Sequence, residues 1–130
     1  FNNRIEVLDL NRATTIRVLF CYNNNLKDLD LSRLKRLQML SCRNNRLKNL
    51  DLSCNGELGV LYCSNNQLTE LDLSFTRHLE ALYCYNNRLE ELDLSNNEAL
   101  ELVYCYGNRL LDLDVSMAPK LRHLRWKEIT

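Results

Sequence analysis

A spacing of 21 residues runs through this chain from end to end. Five cysteines keep that spacing: Cys21, Cys42, Cys63, Cys84 and Cys105. A leucine row keeps it too: Leu19, Leu40, Leu61, Leu82, Val103 and Leu124. So does an aspartate row: Asp9, Asp30, Asp51, Asp72, Asp93 and Asp114. A fixed period of this size is typical of a solenoid, in which each repeat packs only on its neighbours. Because a solenoid displays an extended surface, the pattern favours binding over catalysis.

The composition narrows the range of partners. The chain has 130 residues, of which 45% are apolar, which fits one domain with a continuous core. Lys plus Arg and Asp plus Glu both number 17, so the formal net charge is zero. Nucleic acids and anionic membranes select a basic excess, so neither is the expected partner. No run of about 18 apolar residues occurs, so no membrane insertion is predicted.

The chain begins and ends inside the repeat pattern. Residues 1–5 align with residues 85–89, so the chain 1–130 is expected to be a single array of about six repeats. Because that array starts in mid-repeat, a longer parent protein is also expected. Near the other end Trp126 replaces the repeating Cys, and its strand is polar. This strand is expected to be either a C-terminal cap, which needs a wetter outer face, or a cut boundary. No signal-peptide pattern is expected within these 130 residues, so the location of the protein is not read from them directly.

One repeat, Leu79 to Ala99, shows how a single coil is expected to fold. With Leu79 counted as position 1, apolar residues lie at positions 1, 4, 6, 11, 14 and 16. The alternation at positions 4 to 6 predicts a short strand, and positions 14 to 16 repeat it. Asn86 and Asn87 predict a turn, because Asn tolerates the left-handed region and bonds nearby backbone. The residues after Ser95 favour a turn or one 3₁₀ coil, with no room for a long helix.

The same repeat resembles a known family. Residues 79–89 read Leu-x-x-Leu-x-Cys-x-x-Asn-x-Leu, the form of the leucine-rich repeat signature with Cys at one Leu position. Residues 92–95, Leu-Asp-Leu-Ser, resemble the repeats of bacterial internalins and of Cys-bearing surface proteins of Bacteroides-like bacteria. The resemblance implies an α/β-type leucine-rich repeat solenoid, a right-handed horseshoe with a parallel β-sheet on its concave face. Turns, short strands or 3₁₀ segments would form the convex face, with little or no α-helix. The resemblance also implies protein recognition and an extracellular or cell-surface location.

Three rows of polar or thiol side chains have predicted structural roles. The Asn row is expected to satisfy backbone groups in the turn after each strand: Asn3, Asn24, Asn45, Asn66, Asn87 and Asn108. The Cys row is expected to be small apolar filler, with a disulfide or a metal site as alternatives. Cys54 lies off that row and is the thiol expected to react. The Asp row is expected to bond the following turn, with bound calcium as the alternative. We predict no cofactor and no metal site.

The outward strand positions gather the aromatic residues. Positions 3, 5 and 7 carry all six Tyr of the chain together with Phe20. Tyr is over-represented at binding hot spots, although cross-strand stacking could also serve only to stabilise the sheet. The predicted ligand-binding residues are Phe20, Tyr22, Arg43, Tyr62, Tyr83, Tyr85, Tyr104, Tyr106 and Arg125.

The expected function is that of a protein-binding module in a bacterial surface or secreted protein. Its expected partner is a host or envelope protein held on the concave face. Glycan binding is one alternative, because aromatic rings can pack on sugar faces, and a purely structural spacer is another. No enzyme and no catalytic residue are expected, because His78 and His123 fall on different faces and no nucleophile–base set or phosphate loop occurs.

Overall fold

Six short parallel strands, one in each repeat, form the sheet of this protein. The structure, a computed structural model, describes residues 3–127, so Phe1 and Asn2, which belong to the aligned segment 1–5, lie outside it. The strands are β1 (Val18–Phe20), β2 (Met39–Ser41), β3 (Val60–Tyr62), β4 (Ala81–Tyr83), β5 (Leu102–Tyr104) and β6 (His123–Arg125). They lie side by side in sequence order. Between residues 3 and 127 there is no helix.

Successive strands pair in the register that the 21-residue period predicts. Leu40 lies opposite Leu61, and Leu61 lies opposite Leu82. Equal positions in successive repeats therefore occupy equal environments, at the strand spacing of about 5 Å. The predicted leucine-rich repeat solenoid with a parallel sheet is confirmed.

The predicted apolar positions form one continuous core. In the coil that starts at Leu79, the side chains at positions 1, 4, 6 and 11 are fully buried. Leu92 and Leu94, at positions 14 and 16, are 8% and 2% exposed. The six core positions identified from the sequence are all buried in the three coils that start at Leu37, Leu58 and Leu79.

Two successive turns form the outer side of each coil. Leu92 and Leu94 are buried and Asp93 is exposed, which is the predicted in-out-in pattern, but no strand forms there. Instead the N–H of Asn97 donates to the Leu94 carbonyl (3.1 Å), and the N–H of Leu100 donates to the Asn97 carbonyl (3.2 Å). Bonds between residues three apart define turns. Of the three arrangements expected for this side, the molecule uses turns.

A seventh buried position, position 19, lies between these two turns. It is not among the six core positions predicted from the sequence. Asn97 is fully buried, and its Nδ2 donates to the carbonyls of Leu73 (3.0 Å) and Thr76 (3.1 Å) in the preceding coil. Two coils earlier, Nδ2 of Asn55 donates to the carbonyls at the equivalent positions, Leu31 and Leu34. Position 19 therefore joins adjacent coils on the outer side.

The Asn row joins adjacent coils on the strand side. The Oδ1 of Asn66 accepts the N–H of Leu47 at 3.0 Å. Its Nδ2 donates to the carbonyls of Cys42 (3.0 Å) and Cys63 (3.1 Å). One buried amide thus satisfies backbone groups of two coils, which confirms the predicted structural role.

Position 8, immediately before the Asn row, takes the left-handed backbone conformation. Its φ is 60° at Asn23, 57° at Asn44, 56° at Asn65 and 57° at Asn86, and 68° at Gly107. Asn enters this region more readily than most residues, and Gly enters it without cost. The turn predicted from paired asparagines is therefore present and follows the strands β1 to β5.

Replacing Gly107 by Ala should lower the free energy of unfolding by about 1–2 kcal/mol. The φ of 68° strains an L-residue, and an added Cβ would also collide with the Oδ1 of Asn86. The matched control is Gly56→Ala, where the nearest atom to an added Cβ, the Phe75 carbonyl oxygen, is 3.7 Å away. That change should be neutral or slightly stabilising. Urea unfolding measures both, and equal losses would contradict the conformational argument.

Candidate ligand-binding face

All nine predicted ligand-binding residues lie on the outward face of the sheet or directly after a strand. Positions 3 and 5 are the first and last residues of each strand, and position 7 follows two residues later. The buried residue between them at position 4 fixes their outward direction, because side chains alternate along a strand. We call the outward positions 3, 5 and 7 the sheet face.

The larger of two aromatic clusters lies on β3 to β5. The rings of Tyr62 and Tyr83 are stacked, with centroids 4.5 Å apart and planes inclined by 10°. Tyr83 meets Tyr104 edge to face at 5.5 Å. Tyr85 and Tyr106 stack at 4.8 Å with nearly parallel planes. Such ring pairs contribute about 0.5–1.5 kcal/mol each beyond their burial. The cluster is therefore a fixed surface rather than a set of independent side chains.

Arg125 completes the larger cluster. Its guanidinium lies 5.8 Å from the centroids of both Tyr104 and Tyr106. Guanidinium groups are attracted to ring faces at distances of up to about 6 Å. The structure thus brings together six of the nine predicted residues: Tyr62, Tyr83, Tyr85, Tyr104, Tyr106 and Arg125.

The other three predicted residues form a second, smaller cluster. Phe20 and Tyr22 lie 6.2 Å apart, and the Arg43 guanidinium lies 4.7 Å over the Tyr22 ring. Two small residues lie between the two clusters: Ser41 between Phe20 and Tyr62, and Ser64 between Arg43 and Tyr85. This division into two clusters was not predicted. The serines at positions 5 and 7, which interrupt otherwise aromatic rows of the sequence, indicate where it falls.

Ser41 and Ser64 belong to the sheet face but are covered. Ser41 is 4% exposed and Ser64 is 1% exposed. Small side chains leave room for the larger neighbours in adjacent coils to lie over them. The Ser64 hydroxyl has no hydrogen-bond partner within the described residues. Two small, covered serines therefore separate the two aromatic clusters of the sheet face.

The Tyr rings are half-buried, and this affects one phenol. Burial among the rings, followed by the neighbouring Tyr62, Tyr104 and Tyr85 phenols, raises the pKa of Tyr83. The phenol of Tyr83 consequently stays protonated at neutral pH. It can donate or accept a hydrogen bond at the surface of the cluster.

The Cys row lies beneath the sheet face as buried free thiols. All six cysteines are free, and Cys54 alone among them is exposed. Burial raises the pKa of Cys21 to about 11 and the pKa of Cys63 to about 12. Neutral thiols packed among leucines fit the predicted role of small apolar filler. Cys54, which the sequence separated from the row, lies on the outer turns.

These raised pKa values predict alkaline sensitivity. An unfolded thiol has a pKa of about 8.5, so above that pH the unfolded chain releases protons that the folded chain retains. Stability is therefore complete below about pH 8.5 and falls as pH rises through about 12, the folded pKa of Cys63. Urea unfolding between neutral and alkaline pH should show this loss, and Cys63→Ala should make it shallower. An unchanged slope in Cys63→Ala would contradict the assignment.

The Asp row bonds the outer turns as predicted. Oδ1 of Asp72 accepts the backbone N–H of Ser74 at 2.9 Å and the Ser74 hydroxyl at 2.6 Å. The hydroxyl first, and then the N–H, lowers the pKa of Asp72. A shallow groove of about 500 Å³ beside the row is lined by five carboxylates: Asp51, Asp72, Asp93, Glu70 and Glu91. Within residues 3–127, no group of three His, Cys, Asp or Glu side chains could hold a metal ion.

In the described part of the chain, no helix has the length and apolar character needed to cross a bilayer.

Comparison with known proteins identifies the type of repeat. The family description "Leucine Rich repeats (2 copies)" matches residues 14–54. The functional domain of internalin J from Listeria monocytogenes, described as including a cysteine ladder, is 29% identical with a TM-score of 0.51. The alignment covers 92% of this chain and 36% of that one. No curated protein matches the sequence.

Two further structures share the fold. The leucine-rich repeat domain of APL1B is 26% identical with a TM-score of 0.74, covering 81% of this chain and 34% of that one. Internalin C2 from Listeria monocytogenes is 23% identical with a TM-score of 0.83, covering 87% and 52%. This chain thus spans between 34% and 52% of the length of the three structures. The repeat register, the Asn and Cys rows and these similarities together show that the chain is a leucine-rich repeat protein of internalin-like type.

Proposed function

We propose that this chain is a protein-binding module whose partner contacts the sheet face. The leucine-rich repeat fold is a common protein-interaction module, and proteins built on it are typically binding scaffolds rather than enzymes. The observation that most directly supports this proposal is the larger aromatic cluster. In it, five Tyr and one Arg are held together on three adjacent coils and the strand that follows. Tyr and Arg are the residue types most enriched at interface hot spots.

The ring contacts favour binding because they order the surface beforehand. Tyr62, Tyr83 and Tyr104 are held by one stacked and one edge-to-face contact. A side chain that is already immobilised loses little entropy when a partner arrives, whereas a free one costs about 0.5–1.5 kcal/mol. The cluster could also serve only to stabilise the sheet, and the experiment below separates the two roles.

The size of the face limits the expected affinity. Six strands at a spacing of about 5 Å give a face roughly 25–30 Å long. A stable interface buries about 800 Å² on each partner. The six coils reach that area only if their edges also take part, so this chain alone should bind weakly. We propose, from the internalin-like repeats, that the parent protein is a bacterial surface or secreted protein and that its partner is a host or envelope protein.

Affinity capture with a face variant tests the proposal. Immobilised chain is exposed to host-surface and bacterial-envelope extracts, and retained proteins are identified and then purified for binding measurements. The double variant Tyr83→Ala with Tyr104→Ala removes two rings of the larger cluster. It should raise the dissociation constant for the purified partner at least about tenfold, which equals about 1.4 kcal/mol of binding free energy. The control is Phe75→Ala, which removes a ring that is 49% exposed on the outer turns. Circular dichroism verifies that both variants are folded.

The outcomes of this experiment are distinct. A partner that is lost by the double variant and retained by Phe75→Ala supports the sheet face as the contact surface. A partner that binds both variants equally overturns it. If neither extract contains a specific partner for the native chain, the structural-spacer alternative is favoured.

Glycan binding is a second candidate, supported by one observation. The parallel rings of Tyr85 and Tyr106 stand beside an exposed amide pair, in which Nδ2 of Asn86 donates to Oδ1 of Asn65 at 2.9 Å. A flat ring pair with neighbouring amides offers both a stacking surface and hydrogen bonds for sugar hydroxyls. A glycan array tests this directly. Binding of one neutral glycan that is lost in Tyr85→Ala would establish this candidate over the first.

A further inference from the structure

Two positions in the chain segment that follows each strand carry cations and no carboxylate. We call positions 7 and 10 of the coils the carboxyl edge of the sheet. Position 7 holds Tyr22, Arg43, Ser64, Tyr85, Tyr106 and Lys127, and position 10 holds Arg4, Asn25, Arg46, Gln67, Arg88 and Arg109. Six of these residues are Lys or Arg, and none of the described ones is Asp or Glu. In a chain of zero net charge, this is a marked separation of charge.

The balancing carboxylates lie at other positions of the coil, beginning with positions 12 and 13, two or three residues after the arginines of position 10. Five of them line the groove beside the Asp row on the outer side. Two more, Glu80 and Glu101, precede β4 and β5 at the opposite edge of the sheet, where Glu101 lies 4.0 Å from Arg122. Among the described residues, the one ion pair joins Arg122 and Glu101, so no cation of the carboxyl edge is paired with a carboxylate.

Backbone hydrogen bonds keep the arginines of position 10 in register. The N–H groups of Arg46, Arg88 and Arg109 each donate to a carbonyl of the preceding coil at 2.8 Å. Stacked coils advance by about 5 Å, so Arg88 and Arg109 are about 5 Å apart along the row and Arg46 is about 10 Å from Arg88. An extended peptide advances about 3.3 Å per residue. Carboxylates three residues apart in such a peptide, about 10 Å, match the spacing of Arg46 and Arg88, and carboxylates two residues apart, about 6.6 Å, lie within reach of the long side chains of Arg88 and Arg109.

The aromatic rings of the same edge add an apolar component. Arg43 lies over Tyr22, and Arg125 lies near both Tyr104 and Tyr106. A guanidinium that packs its plane on a ring still presents its N–H groups at its rim, where a carboxylate can accept two of them. At position 7 of successive coils, the stacked rings of Tyr85 and Tyr106 lie between Arg43 and Lys127 and offer an apolar contact.

We propose that the carboxyl edge binds an extended acidic segment of a partner protein, about eight residues long, with carboxylates every two or three residues. An apolar or aromatic side chain of that segment packs on Tyr85 and Tyr106. This inference rests on the proposed function, because it names the chemistry of the partner that the sheet face would bind. Charge complementarity of this kind sets partner choice and association rate.

The charge distribution favours an acidic protein segment over a nucleic acid. Carboxylates lie on both sides of the row, in the outer groove and at the opposite edge of the sheet, so they would repel a polyanion wide enough to reach them. The chain also lacks the overall basic excess that phosphate backbones select. A short acidic segment can neutralise the edge without meeting either set of carboxylates.

Peptides of defined charge test the proposal on the whole chain. The probe is a fluorescent peptide of sequence EEYEEYEEY, and the reference peptide is KKYKKYKKY. Fluorescence anisotropy should show weak, salt-sensitive binding of the acidic peptide and none of the basic one. Arg88→Glu with Arg109→Glu should raise the dissociation constant at least about tenfold. Both arginines are exposed, so the fold should survive, and thermal unfolding verifies this.

A control variant carries the same change of charge on another face. Arg33→Glu with Arg36→Glu replaces two exposed arginines of the outer side and should change the dissociation constant less than about twofold. Equal effects of the two variants would mean that the peptide senses net charge alone and would overturn the proposal. An oligothymidylate of similar length that binds as tightly as the acidic peptide would overturn it in favour of a nucleic acid.

This test is separable from the test of the proposed function. A natural partner that is lost on Tyr83→Ala with Tyr104→Ala but binds Arg88→Glu with Arg109→Glu normally would leave the sheet face as the binding surface. The same result would contradict the proposal that the ligand is an acidic segment. Loss of that partner in both variants would support both inferences.

Discussion

Asn66→Ala is expected to lower the free energy of unfolding by about 3–5 kcal/mol. The side chain is 8% exposed and lies in the middle of the array. It accepts the N–H of Leu47 and donates to the carbonyls of Cys42 and Cys63. Alanine leaves the buried N–H of Leu47 without a partner, which costs about 1–3 kcal/mol. The two carbonyls keep one amide donor each, from Asn45 and Asn87, so the loss of each Asn66 bond to them costs about 0.5–1.5 kcal/mol more. A loss of this size is a large share of the stability of an ordinary domain, which is about 5–15 kcal/mol.

Chemical denaturation at neutral pH measures the effect. The matched control is Asn49→Ala, which makes the same change at an exposed asparagine of the adjacent segment and should alter stability by less than about 0.5 kcal/mol. Asn66→Asp is a second variant with almost the same shape. Its carboxyl group keeps an acceptor for the N–H of Leu47 but places a second oxygen opposite the carbonyl oxygens of Cys42 and Cys63. Asn66→Asp should therefore also lower the free energy of unfolding, and the loss should grow as pH rises and the carboxyl group ionises. A cost for Asn66→Ala below about 1 kcal/mol would contradict the view that the Asn row holds the coils together.

Leu82→Ala is expected to have a comparable effect, about 3–5 kcal/mol, for a different reason. Leu82 is fully buried at the centre of β4, between Leu61 and Val103 of the neighbouring strands. Alanine removes apolar contact and leaves a cavity, and such changes cost about 2–5 kcal/mol. In a solenoid the cavity lies at the contact between coils, so it weakens the coupling of each coil to its neighbours as well.

Position along the array provides the controls for Leu82→Ala. Leu111 is 91% exposed, so Leu111→Ala should be nearly neutral. Leu124 occupies the same row as Leu82 but is 37% exposed in the last strand, so Leu124→Ala should cost clearly less. Denaturant midpoints and slopes of the three variants give the comparison. Equal costs for Leu82 and Leu124 would show that stacking on both sides does not set the stability of a coil.

Much of the fold was predictable because the sequence repeats. Identical side chains at a constant period can satisfy the same contacts in every coil only if the coils stack in register. That condition led to the parallel pairing of Leu61 with Leu82, to the burial of Cys84 and to the role of Asn87. The outward position of Tyr83 and Tyr104 followed from the alternation along a strand.

The features that were missed depend on residues that change from coil to coil. Position 19 alternates between Asn, Thr and aliphatic residues, and only the bonds of Asn55 and Asn97 to the preceding coil reveal it as part of the interior. The second in-out-in segment, around Asp93, has the pattern of a strand but is drawn into turns by the bonds of the adjacent residues. A local pattern cannot distinguish these outcomes, because both bury the same leucines.

The sequence alone therefore determined the repeat, the register, the core rows and the side of the sheet on which the aromatic residues lie. These follow from a period that every coil obeys. The tertiary structure decided which rings touch, that Ser41 and Ser64 divide them into two clusters, and that Arg43 and Arg125 lie over rings. Such contacts join different residue types in neighbouring coils across about 5 Å of stacking, and a repeating pattern does not specify the rotamers that bring them together.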